Sequence, residues 1–320
     1  MSASSSWSFL VVTLFTIVPI QPTEAQTPPV RRDTSFRVVG YLPDYRVEGI
    51  DPSIGRYLTD LIFFSVKATP TGQFESKTLD DAKTKSLLKR FRDEHGVQIH
   101  LCIGGWERSQ GFAEIAATAK SRRHFAESLV AFCRQRGFDG ADLDWEHPKN
   151  DVEAKNYGAL LSDIAQAFKP YRLRLTAAVA AWQTLTAEGV TAVDAIHLMS
   201  YDNAGRHSTF EASQTDVTKF VKLGVPPNKL CLGLPFYGRA IASGDRVKTY
   251  SEIAATARLT PETDEADGLF FNGPATIRKK TQFATEQKLG GVMVWEIGQD
   301  ALGEASLLHV IDTARRTTKR

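Results

Sequence analysis

Residues 138–146 have the sequence Phe-Asp-Gly-Ala-Asp-Leu-Asp-Trp-Glu. Apolar and acidic side chains alternate in it, which is typical of a β-strand. Because successive side chains of a strand point to opposite faces, Asp142, Asp144 and Glu146 share one face. We therefore predict a strand over residues 140–145, with three carboxyl groups in a line along one side and at its end.

Short apolar or β-branched segments recur along the chain, and each is followed by a turn and a stretch with helical periodicity. The predicted strands cover residues 38–42, 61–66, 98–103, 140–145, 173–179, 195–200, 230–236 and 291–295. Strict alternation of strand and helix predicts a parallel sheet. Eight such units without a break in composition favour an α/β fold of a single (β/α)8 TIM barrel, and an open doubly wound sheet is the alternative.

Helices are clearest at three places between these strands. One begins at Ser121, which we predict to be its N-cap. A second covers residues 151–168, where Pro170 lies just beyond the last periodic residue. A third follows Asn272 and Gly273, because Pro274 suits a first helical turn.

The chain divides into four predicted parts: a signal peptide (1–25), a linker (26–36), a catalytic TIM barrel (37–314) and a basic tail (315–320). Residues 9–20 are apolar, and the small residues before and at Ala25 suit signal peptidase. We expect cleavage near Ala25 and secretion to the extracellular space or the periplasm. About 12 apolar residues are fewer than the about 20 that span a bilayer, so no stable membrane association is expected.

The composition limits the classes of molecule that the protein is expected to bind. The 39 basic and 37 acidic residues give a net charge of +2, which offers no reason to expect nucleic acid or an anionic membrane. Cys102, Cys133 and Cys231 are an odd number without metal-ligand spacing. We therefore predict buried free thiols, an uncharged substrate and a monomer.

Folding alone does not explain the acidic strand. The inside of a TIM barrel is normally apolar, and burying adjacent like charges costs several kcal/mol per ion. Coupled carboxylates cannot all ionise, so one should hold a proton near neutral pH, as a general acid requires. Glu146 lies where the strand ends, the side on which barrel enzymes place their active sites. Gly140 should leave room for the carboxyl groups on the same face.

Two other readings of the acidic strand are a solvated loop and a divalent metal site. Strand-like alternation argues against the loop. The metal site would use the three carboxylates and His147, but His147 has the opposite parity and should point away. We expect neither a metal nor a cofactor.

Residues 138–146 resemble the DxxDxDxE signature of family 18 glycoside hydrolases, the chitinases and their relatives, at all four acidic positions. Other segments agree with the family in the same order along residues 37–312. They are Gly40-Tyr41 on the first strand, residues 103–106 on the third, 199–202 on the sixth, 233–239 on the seventh and 290–295 on the eighth.

The resemblance implies a glycosidase that cleaves β-1,4-linked N-acetylglucosamine in chitin, chitooligosaccharides or a related glycan. Its mechanism would be retaining and substrate-assisted, through an oxazolinium intermediate. Glu146 would be the general acid and then the base, and Asp144 would orient the acetamido group. Asp142 would share a proton with Asp144, and Tyr201 would bind the acetamido oxygen. The implied substrate-binding residues are Tyr41, Trp106, Met199, Asp202, Arg239 and Trp295.

Two alternative functions remain within the family. One is an endo-β-N-acetylglucosaminidase that acts on N-glycan cores, and the other is a non-catalytic chitin-binding lectin. Family lectins typically lose the acid, so the presence of Glu146 favours the enzyme. Asp139 lies outside the shared face and is expected to be structural.

The sequence departs from the family pattern at two places. Ser65 stands where many members carry an aromatic residue late in the second strand. Residues 240–271 are too few for the insertion domain that deepens the cleft of some chitinases. We therefore expect a shallower, more open groove suited to mid-chain cleavage. Trp182 is either a stacking platform or a packed interior side chain.

Overall fold

The structure, a computed structural model, describes residues 35–76, 78–242, 244–256 and 259–317. The predicted signal peptide and residues 26–34 of the predicted linker lie outside this range, as do residues 318–320 of the predicted tail. No helix within the described ranges is long and apolar enough to cross a membrane.

Thirteen strands are described within these ranges. They are β1 (Arg37–Pro43), β2 (Asp60–Ala68), β3 (Phe74–Glu75), β4 (Gln98–Gly104), β5 (Gly140–Asp144), β6 (Arg174–Ala180), β7 (Ala195–Met199), β8 (Leu230–Pro235), β9 (Tyr237–Ala240), β10 (Val247–Thr249), β11 (Glu265–Ala266), β12 (Leu269–Phe270) and β13 (Gly291–Trp295). Each of the eight strands predicted from sequence is present, with ends that agree to within two residues.

Nine α-helices accompany the strands in the described part of the chain. They are α1 (Ala82–His95), α2 (Phe112–Ala117), α3 (Ala119–Arg136), α4 (Asp151–Phe168), α5 (Ala187–Ala192), α6 (Phe210–Lys222), α7 (Tyr250–Thr256), α8 (Pro274–Glu286) and α9 (Leu307–Thr317). Helix α4 has the predicted bounds, and α8 begins at the predicted proline. Helix α9 runs into the predicted tail, where Arg315 and Arg316 both pair with Asp312.

Ser121 is not the N-cap of α3, so that prediction is wrong. Thr118 caps the helix, since its side chain accepts a hydrogen bond from the Ser121 backbone N–H. The Ser121 hydroxyl accepts one from the Thr118 backbone N–H in return. This reciprocal capping box satisfies two backbone donors at once, which explains why the helix begins earlier.

Eight parallel strands close into a ring in the order β1, β13, β8, β7, β6, β5, β4 and β2, and β2 pairs back with β1. The predicted TIM barrel is therefore confirmed. The segment between β8 and α8 forms a small antiparallel sheet in the order β10, β9, β12 and β11, together with α7. This sheet begins directly after β8, at the C-terminal ends of the barrel strands.

The core has two parts. A large apolar cluster fills the space between barrel and helices, and a smaller one fills the inside of the barrel. Cys102 and Cys231 belong to the inner cluster and Cys133 to the outer one, and all three are buried free thiols, as predicted.

A buried ionic network closes the N-terminal end of the barrel. The Asp60 carboxylate accepts hydrogen bonds from Arg37 Nη1 at 2.5 and 2.7 Å, and from Thr59 Oγ1 at 2.6 Å. His100 Nε2 lies 3.0 Å from Asp60 Oδ1. Burial alone would raise the pKa of Asp60, but His100, Arg37 and Thr59 together hold it at about 2.

We expect Asp60→Asn to lower the free energy of unfolding at neutral pH by about 3 kcal/mol, because Arg37 and His100 would lose a buried counter-charge. The folded-state pKa of about 2 lies below the ordinary value of 3.8. The wild-type advantage should therefore be present above pH 3.8 and disappear as the pH falls through about 2. Urea unfolding at a series of pH values measures the loss of stability and its pH dependence.

The matched control is Asp80→Asn, which removes a carboxylate that pairs with Arg136 at the surface. Its unfolding midpoint should stay at the wild-type value. Equal destabilisation by the two substitutions would contradict a special role for the Asp60 network.

Candidate active site

A cavity of about 570 Å³ opens at the C-terminal ends of the barrel strands. Nine of the ten predicted site residues line it: Tyr41, Trp106, Asp144, Glu146, Met199, Tyr201, Asp202, Arg239 and Trp295. The tenth, Asp142, is fully buried beneath them. The structure thus brings together residues from β1, β5, β7, β9 and β13 and from the segments that follow β4, β5 and β7.

The three carboxyl groups of the acidic strand lie at three depths. Asp142 is 0% exposed and Asp144 is 3% exposed, whereas the Glu146 side chain is 14% exposed. Strand β5 ends at Asp144, so Glu146 follows it at the opening of the cavity. Exposure therefore increases from the barrel interior towards solvent, and each group has a different environment.

Asp142 has several polar neighbours from other strands. Tyr41 Oη donates to its Oδ2 at 2.7 Å, and Thr176 Oγ1 donates to its Oδ1 at 2.6 Å. His197 Nδ1 lies 3.0 Å from the same Oδ1. Hydrogen bonds to a carboxylate favour its charged form, so these neighbours stabilise an anion in the interior.

Asp144 lies above Asp142 and has fewer hydrogen-bond donors around it. Its Oδ1 is buried and has no hydrogen-bond partner among the described residues. Burial, followed by the charges of Glu146 and Asp142, raises the pKa of Asp144 well above its ordinary value. Asp144 therefore favours its protonated form and has one buried oxygen without a hydrogen-bond partner.

Glu146 has the properties of a general acid. Burial and then the charge of Asp202 raise its pKa to about 7, although a hydrogen bond from the Trp106 backbone lowers it. A carboxyl group with this pKa is protonated over much of the neutral range and can both give and take a proton.

A close turn after β4 holds the acidic strand in place. Gly104 and Gly105 both have positive φ angles, of 97° and 96°. A Cβ atom at Gly105 would lie 2.3 Å from the Phe64 ring, so only glycine fits. Gly105 N and Ser109 Oγ both donate to the Asp144 carbonyl, at 2.7 and 3.0 Å, and Glu146 N donates to Ser109 Oγ at 3.0 Å.

Opposite the acidic strand, Asp202 is held as an anion. Tyr237 Oη donates to its Oδ1 at 2.6 Å, and Arg239 Nη1 lies 2.9 Å from the same oxygen. Burial would raise the pKa of Asp202, but the neighbouring His207, Tyr237 and Arg239 together hold it at about 2. The cavity therefore contains a negative charge that adds to the effect of burial in raising the pKa of Glu146.

Aromatic rings form the floor and sides of the cavity. Trp295 packs edge-on against Phe64, with ring centroids 4.7 Å apart, and lies 5.7 Å from Tyr41. Trp106 is 69% exposed and Trp182 is 65% exposed, so both present ring faces that a ligand could cover. The exposure of Trp182 excludes the packed interior position and leaves the platform.

Three expectations about individual residues change, those for His147, Ser65 and Gly140. His147 does not point away: it lines the cavity, and its Nε2 lies 3.5 Å from Glu146 Oε2. The strand ends at Asp144, so alternation no longer applies at position 147. Ser65 does not leave the second strand without an aromatic residue, because Phe64 lines the cavity.

Gly140 serves a different purpose from the one predicted. A Cβ atom there would lie 2.1 Å from the Arg174 carbonyl oxygen, so the glycine permits close approach of β6 rather than space for carboxyl groups. Asp139 does act structurally: its Oδ2 accepts from Ile99 N at 2.7 Å and from Arg92 Nη2 at 2.8 Å.

Sequence reasoning missed several residues of the site. They are Phe64, His147, Asn203, Met293, Ala178, Ala180 and Ala181. Strand parity could have identified Met293, which shares a face with Trp295. The described residues contain no group of three or more His, Cys, Asp or Glu side chains arranged to hold a metal ion.

A closed parallel barrel, a protonated carboxyl group at the C-terminal ends of its strands, further carboxyl groups behind it and exposed aromatic rings define a glycosidase of the TIM-barrel class. Residues 37–300 match the family described as glycosyl hydrolases family 18. The chain belongs to this family.

Curated relatives share a quarter to a third of their aligned residues with the chain. Chitinase A1 of Niallia circulans is 33% identical over an alignment 424 residues long. The alignment covers 91% of this chain and 60% of the relative. Chitinase 1 of Aphanocladium album is 28% identical over 282 residues, which cover 70% of this chain and 67% of the relative.

Solved structures agree in fold. The chitinase ChiB from the chitin utilization locus of Flavobacterium johnsoniae has a TM-score of 0.79 and 27% identity, covering 89% of this chain and 95% of that one. A class V chitinase mutant from Cycas revoluta, in complex with (GlcNAc)3, has a TM-score of 0.77 and 25% identity, covering 87% of this chain and 99% of that one.

Glu146 is expected to titrate at about pH 7, and Asp202→Asn should lower its pKa because the charge of Asp202 is a cause of the shift. Carboxyl ¹³C NMR across the neutral range measures this, with Glu146→Gln to assign the signal. Asp80→Asn, at the surface, should leave the titration unchanged. Titration of Glu146 near its ordinary value of 4.5 would contradict the electrostatic account.

Proposed function

We propose that this family 18 enzyme hydrolyses β-1,4-linked N-acetylglucosamine in chitin or chitooligosaccharides, with retention and through an oxazolinium intermediate. The relatives named above are chitinases, and one structural relative binds (GlcNAc)3. The observation that carries the mechanism is the pair formed by Glu146, with a pKa of about 7, and Asp144, which has an unpaired buried oxygen.

In the first step, Glu146 protonates the glycosidic oxygen as the bond to the anomeric carbon breaks. The carbonyl oxygen of the substrate's 2-acetamido group attacks that carbon, which forms the oxazolinium ion without a covalent bond to the enzyme. The unpaired oxygen of Asp144 accepts the acetamido N–H and stabilises the developing positive charge. Tyr201 donates to the acetamido oxygen and aligns it for attack.

In the second step, Glu146 is a carboxylate and takes a proton from water. The resulting hydroxide attacks the anomeric carbon, the oxazolinium ring opens, and the acetamido group is restored with net retention. Because the acid must start protonated, kcat/KM should fall as the pH rises through about 7.

Sugar binding uses the aromatic rings. Trp295 forms an apolar floor below the sugar at the cleavage position, while exposed Trp106 and Trp182 stack on neighbouring sugars. Asp202 and Arg239 offer paired polar groups for hydroxyl and amide contacts. Because residues 240–271 are too few for a large insertion domain, we propose an open groove suited to mid-chain cleavage.

Export from the cell is also proposed. Residues 9–20 form an apolar run, and the segment that ends at Ala25 fits a cleavage site. Protein recovered from culture medium should therefore begin near residue 26, which N-terminal sequencing measures. Retention of residues 1–25 would contradict the proposal.

Glu146→Gln is expected to lower kcat for a fluorogenic chitotrioside by about 10²–10⁴-fold, because an amide cannot supply the proton. Binding of chitooligosaccharide, measured by calorimetry, should persist, since the shape of the site is kept. Glu94→Gln, which removes a carboxylate of an exposed helical ion pair, is the matched control and should keep wild-type kcat.

Substrate identity separates the remaining functions. An analogue with a 2-hydroxyl group in place of the 2-acetamido group should resist cleavage, and rapid hydrolysis of cellooligosaccharides would contradict substrate assistance. Binding of chitooligosaccharides without any hydrolysis would instead indicate a lectin. Release of N-glycans in preference to chitotriose cleavage would indicate an endo-β-N-acetylglucosaminidase.

A further inference from the structure

A buried histidine lies behind the acidic strand. His197, on β7, is 1% exposed. Its Nδ1 lies 2.9 Å from Tyr41 Oη and 3.0 Å from Asp142 Oδ1. Tyr41 comes from β1 and Asp142 from β5, so three separate strands meet at this nitrogen inside the barrel.

The hydrogen-bond pattern determines where the ring carries its proton. In the state with Asp142 ionised, its oxygens only accept, and Tyr41 donates its single hydroxyl proton to Asp142 Oδ2 at 2.7 Å. The Tyr41 oxygen must therefore accept at its 2.9 Å contact with His197 Nδ1. It follows that Nδ1 carries hydrogen and acts as the donor.

The two lower carboxyl groups of the acidic strand differ in their supply of donors. Asp142 accepts a hydrogen bond from Tyr41 on Oδ2 and one from Thr176 on Oδ1. His197 Nδ1 lies beside the same Oδ1. Asp144 has one oxygen without any partner among the described residues. Donors favour the charged form of a carboxyl group, so this form is better supported at Asp142 than at Asp144.

We propose that His197 is a positioning residue for hydrolysis: its Nδ1–H orients the Tyr41 hydroxyl towards Asp142, keeps Asp142 anionic and leaves the shared proton on Asp144. This proposal rests on the proposed function. It explains why a polar ring occupies the barrel interior, where an apolar side chain would pack without a partner.

Other titratable groups face this centre from the surrounding elements. The charge of Asp142 raises the pKa of six neighbouring groups: Tyr41, Cys102, Asp144, Tyr157, Tyr201 and Cys231. Each of the tyrosines and cysteines is neutral at working pH, since burial raises its pKa. Within this group, His197 is therefore the one imidazole donor beside Asp142.

The kinetic test replaces His197 with leucine and with asparagine. Leucine removes the donor, so the Asp142 carboxylate loses a neighbour that favours its charged form. The acid limb of the kcat/KM profile for chitotrioside should then move to higher pH, and kcat should fall about tenfold with little change in KM. The amide nitrogen of His197→Asn can take the place of Nδ1, so this variant should recover most of the activity and the wild-type acid limb.

The matched control is His100→Leu, which removes the buried histidine beside Asp60 at the opposite end of the same barrel. It should lower the unfolding temperature and leave the acid limb in place. An unchanged profile in His197→Leu, or the same profile shift in His100→Leu, would overturn the proposal.

A second measurement does not depend on activity. Ring ¹⁵N NMR of the wild-type protein should show hydrogen on Nδ1 of His197, with the signal assigned by its loss in His197→Asn. An unprotonated Nδ1 would overturn the proposal even if the kinetics changed. If the wild type cleaved no chitooligosaccharide, the proposed function would fail, while this measurement would still decide the state of His197.

Discussion

The structure depends on one electrostatic constraint, the placement of two carboxyl groups on the inward face of a single barrel strand and of a third just beyond its end. Three adjacent charges in an apolar interior would be very unfavourable. The barrel gives each of the three carboxyl groups a different environment. Asp142 is saturated with donors, Asp144 takes a proton, and Glu146 reaches partial solvent exposure with a pKa of about 7.

Much of the surrounding architecture follows from this arrangement. The turn at Gly104 and Gly105 can approach the end of β5 because neither residue has a side chain, and Ser109 then joins the two backbones. Across the cavity, Asp202 stays ionised with a pKa of about 2, and its charge adds to the effect of burial in raising the pKa of Glu146. Two carboxyl groups thus acquire opposite protonation states from their local partners.

The family resemblance predicted most of the cavity. Sequence patterns predicted the barrel strands, because alternation within a strand is a local property. They were wrong where a strand ended or where a distant backbone approached. His147 turns into the cavity once β5 has ended at Asp144. Gly140 is required by the backbone of Arg174 on the next strand, and Thr118 rather than Ser121 caps α3.

The sequence by itself determined that Asp142, Asp144 and Glu146 share a face, and the family resemblance identified their neighbours in the site. Only the tertiary structure decided which group holds a proton. The donor to Asp142 comes from Tyr41, which is 101 positions away, and His197 lies 156 positions beyond Tyr41. Protonation depends on partners that are brought together by closure of the barrel, whereas side-chain parity depends only on the strand itself.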